Sequence, residues 1–454
     1  MPVMVHQLLL PELREAIETD DMKMVGSFCE ILHPSIVAEM LQEIDEPDAY
    51  RRVFHHVDSA NGARLFEYLE PDRQDVLAST MPVEDLAKII EHMSSDERVD
   101  LVKRMDEDRE AQIMPLIARA EREDIVRLAR YEESTAGSIM TTDYAALPAG
   151  LKADEAIRRL RREAPDRETI YYIYIVDSDR HLIGFCELKD LILAPPYKTL
   201  NDIMREDVLS IPVDIDVEEA AQTLAQYDVI AMPVVDADKR LVGIITHDDI
   251  IDVVIDAATE DAHLMGAVQP ISAGYFTTPF WETIRKRVPA LVVLFGAELV
   301  ASFLMQSNEA FLLTFPLLLF LVPVIMATGG NSGSQAATLV TRAVALGELE
   351  FKDWMRVGLR ELCQGMVLGL AIGCLSIAAV LVLGPENELI RYGAVLTLAL
   401  VAVTTCGSLV GSLLPLFFLR MGIDPAYSSG PFVASMVDVV GLGIYLSIAA
   451  SLLL

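Results

Sequence analysis

Cysteine is scarce. The 454 residues hold five, Cys29, Cys186, Cys363, Cys374 and Cys406, none in CxxC spacing and three of them in apolar runs. Neither a disulfide framework nor a zinc site is expected, and the soluble part reads as reduced and cytosolic. Bases are scarce too: 36 Lys and Arg stand against 68 Asp and Glu, a net charge of −32. A nucleic-acid binder needs a basic face to meet phosphate, so that class is excluded. The chain does not start with a basic stretch and a long apolar core, and no cleaved signal peptide is expected. No GxxxxGK followed by Ser or Thr occurs, and no DKTGT. A bound nucleotide would regulate such a protein and would not power it.

What is present is unevenly spread. Residues 276–454 hold 11 acids and 9 bases, which leaves 57 acids and 27 bases, a net −30, in residues 1–275. A single soluble globule is thereby excluded. The acidic part would be repelled by an anionic lipid surface and would attract metal cations.

Runs long enough to cross a bilayer begin at Val288. Five are expected: Val288–Gln306, Ala310–Thr341, Leu362–Pro385, Tyr392–Leu419 and Pro425–Leu454. An odd number puts the two ends on opposite sides. Arg285, Lys286, Arg287, Arg342, Lys352, Arg356, Arg360 and Arg420 would flank the spans on the side of the acidic half, and only Arg391 on the other. That bias predicts a cytoplasmic acidic half. Trp281 and Trp354 fall at the same edges, and Phe276–Arg287 reads as a short interfacial helix.

The second run is too long for one plain helix. Pro316 and Pro323 are expected to break it ahead of Gly329-Gly330-Asn331-Ser332-Gly333-Ser334-Gln335. Two readings meet there. Small residues make packing seams between membrane helices; irregular polar backbone at membrane depth lines water-filled paths. Asn331 and Gln335 beside three glycines favour the path. Asp438 is the sharpest residue. A carboxylate in an apolar span costs roughly 2.5–3.5 kcal/mol, so it faces a cavity or a partner. No span offers an interior Lys or Arg to pair with it. Glu298 would snorkel, hydrogen-bond between helices or share that role, and Asp424, before Pro425, caps a helix or serves the ion.

Two repeats organise the acidic half. Val57, Leu69, Met81, Met93 and Met105 recur every twelve residues, with acids and prolines following them. Each unit reads as a helix of about two turns, and Ser94 with Glu97 reads as a capping box. Stacked units would bury their apolar faces in a superhelix, and first-turn acids suit helix N-termini in any case. Farther on, Ile139-Met140, Pro148, Glu155-Ala156 and Leu160 recur 64 residues later as Ile203-Met204, Pro212, Glu219-Ala220 and Leu224. Val176-Asp177, Leu182, Gly184 and Asp190 recur 59 later as Val235-Asp236, Leu241, Gly243 and Asp249, so the first copy carries five extra residues near Arg161–Thr169. Each copy reads helix, strand, strand, helix, with strands at Ile170–Val176, Ile183–Glu187, Ala231–Val235 and Val242–Thr246. These copies resemble a tandem cystathionine-β-synthase-type (CBS) pair. The resemblance implies adenine-nucleotide binding through Ser/Thr-x-x-Asp. The second copy has Thr246 and Asp249; the first has Glu187 before Asp190 and lacks the hydroxyl. Tyr172, Asp190, Thr246 and Asp249 are the implied nucleotide contacts.

Asp249, Asp252, Asp256 and Glu260 follow at 3-4-4 spacing and share one helix face. A solvated face is one reading; binding of a hard divalent cation, which relieves the repulsion, is the other.

This order of parts resembles the MgtE family of magnesium transporters from about residue 30 to the end. The marks are Pro323, Gly329-Gly330-Asn331-x-Gly333-x-Gln335, Asp424-Pro425-Ala426, Gly430-Pro431 and Asp438 with Gly441. Tyr131-Glu132-Glu133 leading to Ala136-Gly137-x-Ile139-Met140 is another. The resemblance implies a helical superhelix over 1–132, CBS copies over 133–198 and 199–252, a connecting acidic helix over 253–275 whose acidic face begins near 248, and a five-span domain over 276–454. It implies a homodimeric channel in the cell membrane, with Mg2+ as its ion and no protein partner beyond its own copy. Asp438 would hold the hydrated ion on the dimer axis, with Asn331 supplying outer contacts and Asp424 close by. Asp96, Asp100, Asp228, Asp249, Asp252, Glu260 and Asp261 would bind regulatory cytosolic Mg2+ and shut the pore. Asp96 and Asp100 also have ordinary cap and surface readings. Two rivals differ in class: a nucleotide sensor whose spans only anchor it, and a CBS-regulated channel or carrier for another ion. Asp438 speaks against the first, and two acids with no base inside the spans speak against an anion.

Overall fold

The computed structural model describes residues 2–44, 47–164, 168–271, 274–276, 278–383 and 389–454. The chain forms two units, Met1–Val254 and Ile255–Leu454.

Among the described residues the first unit opens with ten helices: α1 (Pro2–Glu18), α2 (Met22–Ile31), α3 (Pro34–Gln42), α4 (Pro47–His56), α5 (Ser59–Glu67), α6 (Pro71–Thr80), α7 (Val83–His92), α8 (Ser95–Arg104), α9 (Glu107–Ile113) and α10 (Arg119–Leu128). The twelve-residue period has a physical basis. Met81, Met93 and Met105 each close a helix in extended backbone, with ψ of 153°, 154° and 152°. The repeated joint turns the chain, and Met81 and Met93 are buried. Helices α5 to α8 run 9 or 10 residues, nearer three turns than the expected two. Their C-terminal carbonyls are satisfied by side chains from later helices. Gln74 Nε2 donates to Phe66 O at 3.0 Å, Arg98 to Ile90 O and Met93 O at 2.8 and 2.7 Å, and Arg109 to Ala78 O at 2.8 Å. The Ser94–Glu97 capping box does not form. The Ser94 amide and hydroxyl both donate to Glu67 Oε1 of α5, at 2.7 and 3.2 Å, so a tertiary partner displaces the local one.

The two repeat copies follow as β1 (Tyr144–Pro148), α11 (Ala153–Glu163), β2 (Thr169–Val176), β3 (Leu182–Glu187) and α12 (Leu188–Leu193), then β4 (Ile211–Pro212), α13 (Val217–Tyr227), β5 (Ala231–Val235), β6 (Leu241–Thr246) and α14 (His247–Met265). Each makes a three-stranded sheet, β1-β2-β3 and β4-β5-β6, with the first pair parallel and the second antiparallel. The first strand of each copy escaped the sequence reading; β4 is two residues long, too short for any alternation to register. The copies join reciprocally: Leu182 N donates to Lys239 O and Leu241 N to Arg180 O. Part of the first copy's insertion, 165–167, lies outside the described residues. The connecting helix starts directly after β6 and ends at Met265, ten residues before the expected 275. A C-terminal cap stops it, with Val268 N donating to His263 O at 2.9 Å across Ala267 at φ 58°.

Among the described residues, the second unit holds five helices long and apolar enough to cross a membrane. They are α15 (Phe280–Ser307), α17 (Pro316–Ala345), α18 (Trp354–Leu383), α19 (Leu389–Met421) and α20 (Gly430–Leu453), with a short α16 (Glu309–Thr314) after the first. The expected interfacial helix is not separate: from Phe280 its residues run unbroken into α15, and position 277 lies outside the described residues, as does the third run's end at Pro385. The expected break in the second run falls only at Phe315, the residue a following proline bars from helix. Pro323 and the whole Gly329–Gln335 stretch are helical, so the irregular polar backbone expected there is corrected to a packing seam. A Cβ on Gly407 of α19 would lie 2.3 Å from Gly329 O, and one on Gly411 2.0 Å from Gly333 O. The two backbones touch, and only glycine on both helices permits it. Helix α18 packs on α19 likewise through Gly365, Gly369 and Gly373, against Thr405, Val401 and Thr397.

Candidate functional site

In the second unit, α20 carries Asp438 one residue after Val437, which is fully buried against the Gly329 region of α17. That register leaves Asp438 half-buried and turned to α15, where its carboxyl is within hydrogen-bonding reach of Glu298. Helix α15 packs on α20, which explains how these two acids meet. Asn331 is exposed on α17, on one face with the exposed Gln335 and Thr338; no contact joins it to Asp438 among the described residues. Asp424 caps the turn Pro425–Tyr427, accepting from the Ala426 amide at 2.8 Å. It also faces Asp261 at the end of α14. Burial, then the charges of Asp424 and Glu260, raises the Asp261 carboxyl. Cap and ion-site readings of Asp424 therefore coexist.

A second group forms inside the first unit. Ser95, at the start of α8, hydrogen-bonds Thr141 Oγ1 at 3.0 Å and accepts from the Thr142 amide at 2.7 Å. This junction brings Asp96 of α8 beside Asp249 of α14. Burial, then the charges of Asp249 and Glu97, pushes the Asp96 carboxyl well above the usual range. Its Oδ1 is buried without a hydrogen-bond partner among the described residues. Burial lifts Asp249 to about 6 although Thr246 donates to it from amide and hydroxyl, at 3.1 and 2.6 Å; Asp248 and Asp252 add to the rise. Asp100 is raised by burial, against the pull of Lys103 and Arg104. Asp228 stands apart as the left-handed C-cap of α13, at φ 51°.

Three acids missed from the sequence complete this group. Glu97 is pushed to about 7 by burial and then by Glu67 and Asp100. Glu168 is an exposed residue, yet desolvation of its carboxyl and then the charges of Asp249 and Asp248 push it to about 7. Glu67, half-buried and holding Ser94, is raised as well, chiefly by desolvation. They come from α5, α8 and the approach to β2, positions that no local spacing links. Carboxyls held this close resist ionising together. A divalent cation among them removes that penalty and takes their oxygens as hard ligands.

Of the expected nucleotide contacts, Tyr172 lines a groove of 170 Å³ with Phe185, Glu187, Arg205, Val229 and Met232. Asp190 accepts from Arg205 at 3.1 Å nearby. Thr246 and Asp249 belong to the other copy and bond each other. Asp177, Asp179 and His181 bring their ligand atoms within 4.8 Å in the β2–β3 turn. Asp177 there accepts from the Asp179 and His181 amides and meets the His181 ring, which is ordinary turn bonding.

Known proteins match this chain along its length. The model for the divalent cation transporter MgtE matches residues 322–448, the MgtE intracellular N domain 32–134, and the CBS domain 136–197 and 200–256. The magnesium transporter MgtE of Thermus thermophilus is 44% identical over 326 residues, 72% of each chain. That of Enterococcus faecalis is 34% identical over 71% of this chain and 70% of its own. Among solved structures, the soluble part of a magnesium transporter is 32% identical, covers 56% of this chain and 99% of that one, and superposes with a TM-score of 0.53. The cytosolic domain of the Mg2+ channel MgtE in complex with ATP is 36% identical over 54% and 100%, with a TM-score of 0.51.

Proposed function

Because the chain belongs to the MgtE family of magnesium transporters, we propose that it is a channel admitting Mg2+ to the cytoplasm and shut by Mg2+ bound to its own cytoplasmic acids. The observation that carries this reading is Asp438, a carboxylate held deep in the fifth span and turned to a second acid. Magnesium gives up water reluctantly and prefers an octahedron of oxygens. One Asp cannot cage it, but two related by a two-fold hold a hydrated ion. The pore would thus lie between two copies, with the exposed polar face of Asn331 and Gln335 toward it. The flanking bases support a cytoplasmic acidic half. A divalent ion entering at 100 mV gains about 4.6 kcal/mol, so no pump is needed.

Closure follows from the clustered acids. Without Mg2+ the group of Asp96, Asp249, Glu97 and Glu168 repels itself, and so do Asp261 and Asp424. Bound cations favour the compact form by their differential affinity for it, and several weak sites act together. An adenine nucleotide bound beside Tyr172 and Asp190 would bias the same equilibrium; the cytosolic domain of one relative has been solved in complex with ATP. The test is Mg2+ uptake into liposomes with a trapped indicator dye. Wild-type protein should conduct until Mg2+ on the acidic side reaches millimolar levels. Uptake that ignores Mg2+ on both faces, or none at all from folded protein, would overturn the proposal.

A further inference from the structure

Helix α11 of the first copy holds four arginines in five residues, Arg158, Arg159, Arg161 and Arg162, within a half of net −30. The fold does not require them. Helices α11 and α13 match residue for residue, 64 apart, from Ala153 and Val217 to Glu163 and Tyr227. Both bury the same face, Ala156 and Leu160 against Ala220 and Leu224. At the four arginine positions the second copy has Gln222, Thr223, Ala225 and Gln226. Bases in a last turn favour the helix dipole, yet α13 forms with no base at all.

The arginines flank a groove of 610 Å³ lined by Leu151, Glu155, Arg158, Arg159 and Arg162. Arg158 pairs with Asp154 at 2.8 Å and Arg159 with Glu163 at 2.9 Å along the helix. Arg162, one turn beyond Arg158 on the exposed face, has no ion pair or hydrogen bond among the described residues, nor does Arg161. Guanidinium groups one turn apart present paired N–H forks that suit phosphate oxygens. The groove is separate from the one beside Tyr172.

We propose that the Arg158–Arg162 face of α11 binds a phosphate-bearing anion, a site that the second copy lacks. A free condensed phosphate and an anionic lipid headgroup share this chemistry. Binding should weaken with salt, because the attraction between the guanidinium groups and phosphate is screened.

The experiment is calorimetric titration of the detergent-solubilised full chain, magnesium-free, at two salt concentrations. One arm uses sodium tripolyphosphate and the other short-chain phosphatidylglycerol below its micelle concentration. The variant Arg158→Gln/Arg162→Gln installs the residues of the matching helix, so its fold should hold; Arg162→Gln alone serves if it does not. Saturable binding that falls at least tenfold in the variant supports the site, and the arm showing it identifies the source. Binding to neither probe, or equal binding by wild type and variant, overturns it.

Discussion

Asp438 and Glu298 meet although each sits on a different span, and that meeting makes separate predictions for the two. Asp438→Ala should abolish Mg2+ uptake while the protein stays folded, and Asp438→Asn, which keeps the shape, should lose most of it. Glu298→Gln keeps a hydrogen-bonding partner for Asp438 and should retain flux, whereas Glu298→Leu should lower it about tenfold. Wild-type flux in folded Asp438→Ala would sink the pore reading. The clustered acids predict a pH effect. Glu97 and Glu168 are lifted to about 7 and Asp249 to about 6. Each binds its proton more tightly folded than unfolded. The stability this confers is complete below the unfolded values near 4 and is lost as pH climbs through 6 to 7. In magnesium-free buffer the thermal midpoint of the acidic half should therefore fall between pH 5.5 and 8, and Mg2+ should restore it most at pH 8. A midpoint flat in pH and blind to Mg2+ would return these residues to a solvated surface. Asp438 was legible in the sequence because a carboxylate conflicts with the composition around it. Glu67, Glu97 and Glu168 were not, because tertiary contact alone gathers them from an acid-rich half.

At the level of helices and strands, periodicity carried far and local composition misled. The twelve-residue repeat and the duplicated copies were readable because packing repeats when sequence does. The Gly329–Gln335 stretch was misread. The same residues serve a pore loop or a helix seam, and the deciding partners, Gly407 and Gly411, lie some 75 residues away. The seam yields its own prediction. Gly411→Ala places a methyl group 2.0 Å from Gly333 O, and overpacking of this kind costs about 1–3 kcal/mol. Its thermal midpoint in detergent should drop by several degrees, while Gly443→Ala, which meets nothing within 4 Å, should leave it unchanged. Equal behaviour of the two would contradict the seam.

For the whole molecule, pairing and gating are the open tests. Single cysteines beside Asp438 in a cysteine-depleted background should cross-link into dimers, and an active monomer would exclude a two-fold pore. Asp249→Asn with Asp252→Asn should raise the Mg2+ needed for closure and for protease resistance if bridging dominates. Should repulsion dominate, the variant would compact and close without Mg2+. Unchanged midpoints in both assays would remove these residues from the switch. The glycine seam also limits how the membrane half can move. Where side chains separate two helices, rotamers act as bearings and let one helix roll past the other. Between α17 and α19 that layer vanishes at Gly329–Gly407 and Gly333–Gly411, where carbonyl meets α-carbon, and Ser332 hydrogen-bonds Ser408 beside them. Rolling or sliding would drive backbone into backbone, so these two helices travel as a single welded beam, and any hinge that widens a conduit must lie elsewhere.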